Sequence, residues 1–316
     1  MAGELRHGVE LSNLEQPLFD GAEATKRDLI DYLEFVGERL LRVLRGRPLS
    51  VVRVRPGQEP FVQKNLPKYT PEWVPRTTVW AESSRRRITY ALCDDLPTLI
   101  WFGNQRAVEY HPTLYRAESA PEPTHLVLDL DPAPGQTFAD AVAGARLIQA
   151  ALAADGLSGA VKTSGSKGLH VFVPVVPGTD VEDAAAATRA VAARAERIDP
   201  SVGTTAFIRE DRHGKVFLDA TRAGGATVAA AYSPRVRPGV TVSCPLRWAD
   251  LDDVTPADFT VRTAPDLLGG ADPWESEMPA PQRLPADLVA EGHTIPVARV
   301  QAMHEGKRRA RARRAE

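Results

Sequence analysis

The segment His125-Leu126-Val127-Leu128-Asp129-Leu130-Asp131-Pro132 is apolar until two aspartates interrupt it at alternate positions. Side chains alternate faces along a strand, so Leu126, Leu128 and Leu130 point one way while Val127, Asp129 and Asp131 point the other. Both carboxylates are therefore expected on one face of a strand end, ~6.5 Å apart, and Pro132 stops the strand just beyond them. Lys215-Val216-Phe217-Leu218-Asp219 repeats the pattern. There Lys215, Phe217 and Asp219 share a face, and a third carboxylate ends an apolar strand.

The remaining periodicities predict an α/β chain in which strands and helices are interspersed. A helix is expected over residues 26–44, since Thr25 can cap it, Asp28 sits at its third position, and Leu29, Leu33, Val36, Leu40 and Val43 form an apolar stripe. Strands are expected at 49–54 and 87–92, then a helix over 96–109 leading to His111. The strand at 126–131 opens a second module, covered by Ala-rich helices at 138–155 and 181–198 that can pack closely on a sheet. From 263 to 296 the composition turns to Pro, Gly, Asp and Glu, which reads as an extended surface strap with a short helix. The expected organisation is an N-terminal module over 1–120, a catalytic module over 121–262, a strap over 263–304 and a basic disordered tail over 305–316.

Between the two aspartate strands lies Thr163-Ser164-Gly165-Ser166-Lys167-Gly168-Leu169-His170. A tight turn with two glycines, hydroxyls and a lysine offers backbone N–H groups and a positive charge to phosphate oxygens. It lacks the spacer and helix-opening Lys-Ser/Thr of a P-loop. Taken alone, it reads equally as a Gly-Ser hairpin turn with a solvated lysine. His170 faces the layer opposite to Leu169, Val171 and Val173. Basic residues follow the third aspartate in Tyr232-Ser233-Pro234-Arg235-Val236-Arg237. The conjunction of three strand-end carboxylates, a Gly-Ser-Lys-Gly turn and nearby arginines suits divalent metal and triphosphate, and two cations spaced by about 3.5–4 Å serve phosphoryl transfer.

The 316-residue chain has a formal net charge of −2, so contact with nucleic acid must come from local basic patches. One candidate is Arg85-Arg86-Arg87, which also reads as an exposed strand entrance. Another is Lys307-Arg308-Arg309-Ala310-Arg311-Ala312-Arg313-Arg314, read either as a solvated tail or as an electrostatic arm on phosphates. Cys93 and Cys244 are too few for a disulfide framework. With no apolar leader and no run near the ~18 apolar residues of a membrane span, a cytoplasmic, nucleoid-associated protein is expected.

On Leu128-Asp129-Leu130-Asp131-Pro132, Thr163-Ser164-Gly165-Ser166-Lys167-Gly168-Leu169-His170, Lys215-Val216-Phe217-Leu218-Asp219, Tyr232-Ser233-Pro234-Arg235-Val236-Arg237 and Pro245-Leu246-Arg247-Trp248, the chain resembles the polymerase domain of the bacterial end-joining ligase, ligase D. That domain is a branch of the archaeo-eukaryotic primase superfamily, which implies an α/β (α+β) primase-like catalytic core of two sheets flanked by helices with an active-site cleft between them, and the resemblance runs from about Leu11 to Leu251. It implies template-directed nucleotide addition to a 3′-OH with two divalent cations, Mn²⁺ or Mg²⁺, held by Asp129, Asp131 and Asp219. It further implies nucleotide contacts from His111, Ser164, Ser166, Lys167, His170, Arg212 and Arg235. DNA contacts are implied for Asn13, Lys26, Arg53, Phe61 and Lys64. The partners it implies are gapped or 3′-overhanging DNA, NTPs with a preference for ribonucleotides over dNTPs, the Ku end-binding protein and a separate DNA ligase, with a monomeric state.

Three departures accompany the resemblance. The family's N-terminal Asn-x-x-Lys reads Asn13-Leu14-Glu15-Gln16 here, so an amide replaces a cation expected to hold a 5′-phosphate, while Lys26 is kept. The paired template-stacking phenylalanines read Phe61-Val62. The Trp-x-Gln-Asn that usually comes after the third aspartate reads Ala220-Thr221-Arg222-Ala223. No Lys-x-Asp-Gly ligase nucleophile occurs, which predicts a stand-alone polymerase. The competing readings are a metal phosphohydrolase using Asp129 and Asp131, although Ala133 stands where that class wants Thr or Val, and a non-catalytic DNA-end binding module, which a lost metal ligand would indicate.

Overall fold

The computed structural model describes residues 4–81, 85–224 and 226–297. They fall into two compact units: the first takes the chain up to Pro121, then Lys162–Ser166 and Thr227–Ser276, and the second takes Glu122–Val161, Lys167–Ala226 and the chain from Glu277 onward.

In the first unit, strands β1 (Glu4–Arg6) and β2 (Val9–Leu11) make a short antiparallel hairpin. Thr25 then caps α1 (Lys26–Phe35) as expected: its Oγ1 accepts the Asp28 N–H at 3.2 Å, and Asp28 Oδ2 accepts the Thr25 N–H at 2.7 Å. The single helix expected over 26–44 is two, because Val36 (φ −89°, ψ 1°) breaks it before α2 (Gly37–Leu44). The break brings Gly37 against Leu96, whose Cδ1 would lie 2.8 Å from any Cβ added there. Leu29, Leu33, Val36 and Leu40 are fully buried on both sides of it, so the apolar stripe survives the kink.

Strand β3 (Pro48–Arg55) organises the sheet of this unit, pairing antiparallel with both β4 (Gln58–Gln63) and β6 (Arg86–Leu92). With β5 (Arg76–Ala81) at the edge beside β6, the sheet order is β4-β3-β6-β5. Arg85, Arg86 and Arg87 form the exposed entrance to β6. The helix expected over 96–109 stops early as α3 (Leu96–Asn104). Arg106 takes the left-handed conformation (φ +59°), and its N–H bonds to Gly103 O at 2.9 Å, which turns the chain back. The chain then runs extended as β7 (Ala107–Pro112), paired antiparallel with β3. Alternation therefore puts Glu109 and His111 on one face.

The second unit is built on β8 (His125–Asp131), α4 (Phe138–Ala154), the Ala160 and Val161 start of β9 (Ala160–Thr163), β10 (Leu169–Pro174), α5 (Val181–Ile198), β11 (Gly203–Thr204) and β12 (Val216–Asp219). Its strands run in the order β11-β12-β8-β10-β9, with β8 antiparallel to both β10 and β12. Gly144 of α4 lets the helix close on the sheet, since a Cβ there would lie 3.1 Å from Val216 Cγ1 and 3.2 Å from Leu130 Cδ2. The Leu128 and Leu130 face of β8 thus lies under the helices and the Asp129 face lies opposite. Gly168 enters β10 so close to β8 that an added Cβ would be 1.9 Å from Leu130 O. The strap expected over 263–296 is more helical than its Pro and Gly content suggests: α6 (Ala264–Leu268), α7 (Pro273–Glu277) and α8 (Ala286–Thr294) occupy it. Gly292 of α8 seats against Ala186 of α5, where a Cβ would clash with the Ala186 carbonyl. The basic segment over 307–314 lies outside the described residues.

Candidate active site

Strand register assembles the acidic site. Asp219 is directly opposite Asp129 across β12 and β8, and His170 is directly opposite Asp129 across β10 and β8. Residues opposed in this way project to the same face. His170 Nε2 lies 3.2 Å from Asp129 Oδ1. After β12 the chain turns: the Thr221 N–H donates to Asp219 Oδ1 at 2.8 Å, and a 3-10 turn over Arg222–Gly224 comes next. This turn carries Arg222 back over the sheet. Its Nη2 donates to Asp129 Oδ2 at 2.9 Å and lies 3.4 Å from Asp219 Oδ2, while its Nε reaches Asp129 Oδ2 at 3.2 Å.

Asp129 and Asp131 are shifted in opposite directions. Burial opposes ionisation of Asp129, but the neighbouring His170 and then Arg222 outweigh it and hold the carboxyl well below the usual range. Asp131, at the strand end, goes the other way: desolvation first, then repulsion from Asp129 and Asp219, push it up to about 6. Arg212 is held nearby by donating to Ala206 O and Phe207 O, each at 3.1 Å, and lies 3.7 Å above the Phe217 ring. Its charge acts on Asp131 and favours ionisation there. Lys167 is exposed.

Hard carboxylate oxygens suit Mg²⁺ or Mn²⁺, so the donor set fits a divalent cation. The arrangement is nonetheless closed: among the described residues no three acidic, histidine or cysteine groups converge on a metal position. The guanidinium of Arg222 stands between Asp129 and Asp219 instead.

A second cluster belongs to the first unit. His111 Nε2 lies 2.8 Å from Glu109 Oε2, while Glu109 Oε1 accepts the Val236 N–H at 2.9 Å and lies 3.2 Å from Arg235 Nε. Burial of Glu109 is outweighed by the His111 hydrogen bond, the Arg235 charge and the Val236 N–H, so its carboxyl is lowered to about 2. Arg235 Nη1 donates to Ser164 O, and Arg237 Nη2 donates to Ser166 Oγ at 3.1 Å. Ser164 Oγ accepts the Ser166 N–H at 3.2 Å. Gly165 takes φ +68° and has Arg235 Cγ 2.6 Å from where a Cβ would be, so the turn admits no larger residue. His111, Ser164, Ser166 and Arg235 are thereby brought together, while Lys167 and His170 belong to the second unit.

The N-terminal residues form a basic corner. Asn13 is exposed in the left-handed region (φ +54°), and its carbonyl accepts the Gln16 N–H at 3.2 Å. Lys26 is buried at 2 % exposure with its Nζ donating to Ser12 O. Burial first, and Arg106 second, lower its pKa to about 8. Arg106 Nη2 donates to Gln16 Oε1 at 2.7 Å, and its Nη1 donates to Pro17 O at 2.8 Å and Leu18 O at 2.9 Å. A guanidinium therefore sits against the amide that stands where a lysine was expected. Further along, Phe61, Val62, Gln63, Lys64, Asn65, Arg86 and Ile88 line an open groove of about 330 Å³. Arg53 is buried nearby, 5.6 Å from the Phe61 ring and donating to Gln63 Oε1 at 2.8 Å and Tyr69 Oη at 2.7 Å. Arg55 stacks on the same ring at 5.5 Å. Two cations thus face Phe61, and Lys64 is exposed.

Three residues escaped the pattern reading. Glu109 shares the alternate face with His111, a signal that the helix expected over 96–109 concealed. Arg106 stood inside the same expected helix. Arg222 was noted only as a departure, because no sequence rule says where a turn will deliver its side chain.

Residues 25–274 match the family described as "LigD, primase-polymerase domain". The chain is 36% identical over 256 residues to the multifunctional non-homologous end joining DNA repair protein LigD of Mycobacterium tuberculosis, covering 78% of this chain and 34% of that protein. It is 32% identical over 265 residues to the bifunctional non-homologous end joining protein LigD of Bacillus subtilis, covering 82% and 42%. Among solved structures, the polymerase domain from Mycobacterium tuberculosis ligase D in complex with DNA matches with a TM-score of 0.77 at 33% identity, over 86% of this chain and 99% of that one. The chain belongs to the LigD primase-polymerase domain family and has its mixed α/β fold. It spans well under half the length of the full-length relatives it matches. Among the described residues no helix is long and apolar enough to cross a membrane.

Proposed function

We propose that this chain is a template-directed nucleotidyltransferase that adds nucleotides, ribonucleotides by preference, to a 3′-OH at gaps or ends during DNA repair. The observation that carries the reading is the register placing Asp219 opposite Asp129, with Asp131 on the same strand face, in a member of this family. Asp129, Asp131 and Asp219 would hold the divalent cations, Mn²⁺ or Mg²⁺, which supply Lewis acidity toward the attacking hydroxyl and the leaving pyrophosphate. His170 orients Asp129 through its Oδ1. Lys167 and Arg212 bind the triphosphate. Glu109 keeps the His111 ring and the Arg235 guanidinium in fixed orientations, and His111 with Ser164 and Ser166 reads the sugar.

Arg53, Phe61 and Lys64 form a stacking and phosphate surface for single-stranded template. Asn13, Lys26 and Arg106 bind the 5′-phosphate across a gap, with Arg106 supplying the cation that Gln16 lacks. The relatives are named for non-homologous end joining, so Ku-bound ends and a DNA ligase activity are the partners this reading entails. Single-nucleotide addition to a gapped duplex, with ribo- and deoxyribonucleotides compared, tests it. A site built around the 2′-hydroxyl penalises the sugar that lacks it. Equal efficiencies remove the sugar preference, and no extension with either sugar in Mn²⁺ or Mg²⁺ removes the function.

A further inference from the structure

The Asp129–Asp219 pair is occupied by a cation that belongs to the protein. Asp129 engages His170 with one oxygen and both Nε and Nη2 of Arg222 with the other. Asp219 accepts the Thr221 N–H on one oxygen and presents the other to Arg222. The two aspartate side chains are 10% and 7% exposed, so their negative charges would stand almost desolvated without the guanidinium. An arginine does not lose its proton in a protein, so its charge leaves this position only if the side chain moves. It has somewhere to go: the Arg222 side chain is 34% exposed on a short 3-10 turn.

We propose that Arg222 is a resident counter-cation of the acidic site. It holds Asp129 and Asp219 when no divalent ion is present, and it must be displaced before one ion can be ligated by both carboxylates, so that this residue sets the metal concentration the site requires. The inference rests on the proposed metal-holding role of the three aspartates and adds a competitor to it. The physical reason is exclusion. A guanidinium 2.9 Å from one carboxylate and 3.4 Å from the other fills the space between them, and two cations cannot share it.

The test is a Mn²⁺ titration of the nucleotide-free protein, reading free Mn²⁺ by electron paramagnetic resonance, for the wild type, Arg222→Gln, Arg222→Lys and Asp219→Asn. Arg222→Gln is expected to tighten Mn²⁺ binding by about tenfold or more, because it keeps much of the side chain's reach and removes its charge. Arg222→Lys keeps the charge and should stay within about threefold of the wild type. Thermal unfolding gives a second readout that also reports folding: Arg222→Gln should melt lower than the wild type in EDTA and gain more from Mn²⁺, since the ion then replaces a missing cation. If Asp219→Asn weakens Mn²⁺ binding but Arg222→Gln leaves it unchanged or weaker, the metal reading stands and the competitor role is overturned. If Asp219→Asn changes nothing, either alone or in a double variant that combines it with Arg222→Gln, the metal is not held here, and both ideas fall.

Discussion

On the acidic face, Asp129, Asp219 and His170 are neighbours because three antiparallel strands of one sheet set them in register. At the basic corner, Lys26 and Arg106 meet because a helix start and a left-handed turn after another helix are folded together, with Gln16 and the carbonyls of Pro17 and Leu18 as the joint. Opposite charges fill the first site and satisfy one another. Like charges fill the second, and there burial first, with Arg106 second, lowers the Lys26 pKa to about 8. The first site pairs its cation with carboxylates, whereas the cations of the second donate to neutral carbonyl and amide oxygens.

The largest effect expected from breaking this contrast is at the acidic face. Asp129→Asn or Asp219→Asn should reduce nucleotide addition by roughly 10³-fold or more, measured as single-nucleotide extension. Asp129→Ala should also lower stability, since it strands the Arg222 cation and takes from His170 its carboxylate partner on a buried face. Denaturant unfolding of Asp129→Ala beside Asp129→Asn separates the two consequences, and unimpaired extension by either asparagine variant would show that the carboxylates are not metal ligands.

A middle-sized effect is expected at Glu109, which ties His111 to Arg235. Glu109→Gln should cut kcat/KM for the nucleotide by about tenfold and cost about 1–3 kcal/mol of stability. The pH dependence has a definite sign. Folding lowers the Glu109 pKa from 4.5 to about 2, so its stabilising contribution is complete above 4.5 and disappears as pH falls toward 2. The stability gap between wild type and Glu109→Gln should therefore narrow as pH falls from above 4.5 to about 2 in urea titrations; a constant gap would detach the stabilisation from this carboxylate.

The smallest effect belongs to the basic corner. Arg106→Gln should weaken the preference for a 5′-phosphorylated gap a few-fold and flatten the salt dependence of binding by up to about 0.9 per lost phosphate contact. Lys26 carries its charge in the free protein only below about pH 8, so that preference should also decline as pH rises through 8, well before an ordinary lysine would titrate. Because folding lowers this pKa from 10.5, the folded state holds fewer protons than the unfolded chain between about 8 and 10.5, and wild-type stability should climb across that window. Lys26→Met should not show the climb. Equal binding of phosphorylated and unphosphorylated gaps by the wild type would mean that this corner serves another anion.

Alternation alone determined that Asp129 and Asp131 share a face and that Asp219 ends a second strand, since a period of two leaves no other choice on a strand. The Thr25 and Asp28 capping box and the helices over 138–155 and 181–198 were legible for the same reason: each is a local rule satisfied by local residues. Local rules also misled. Apolar residues over 96–109 have no periodicity that separates helix from buried strand, and only pairing with β3 made Ala107–Pro112 extended and put Glu109 beside His111. The kink at Val36 goes with the close approach of Leu96 to Gly37, a contact between distant segments that no local rule reports. Tertiary structure likewise decided that Arg222 should lie between two carboxylates and Arg106 against Gln16, because where a long charged side chain ends is set by the turn that carries it and by the partners that await it.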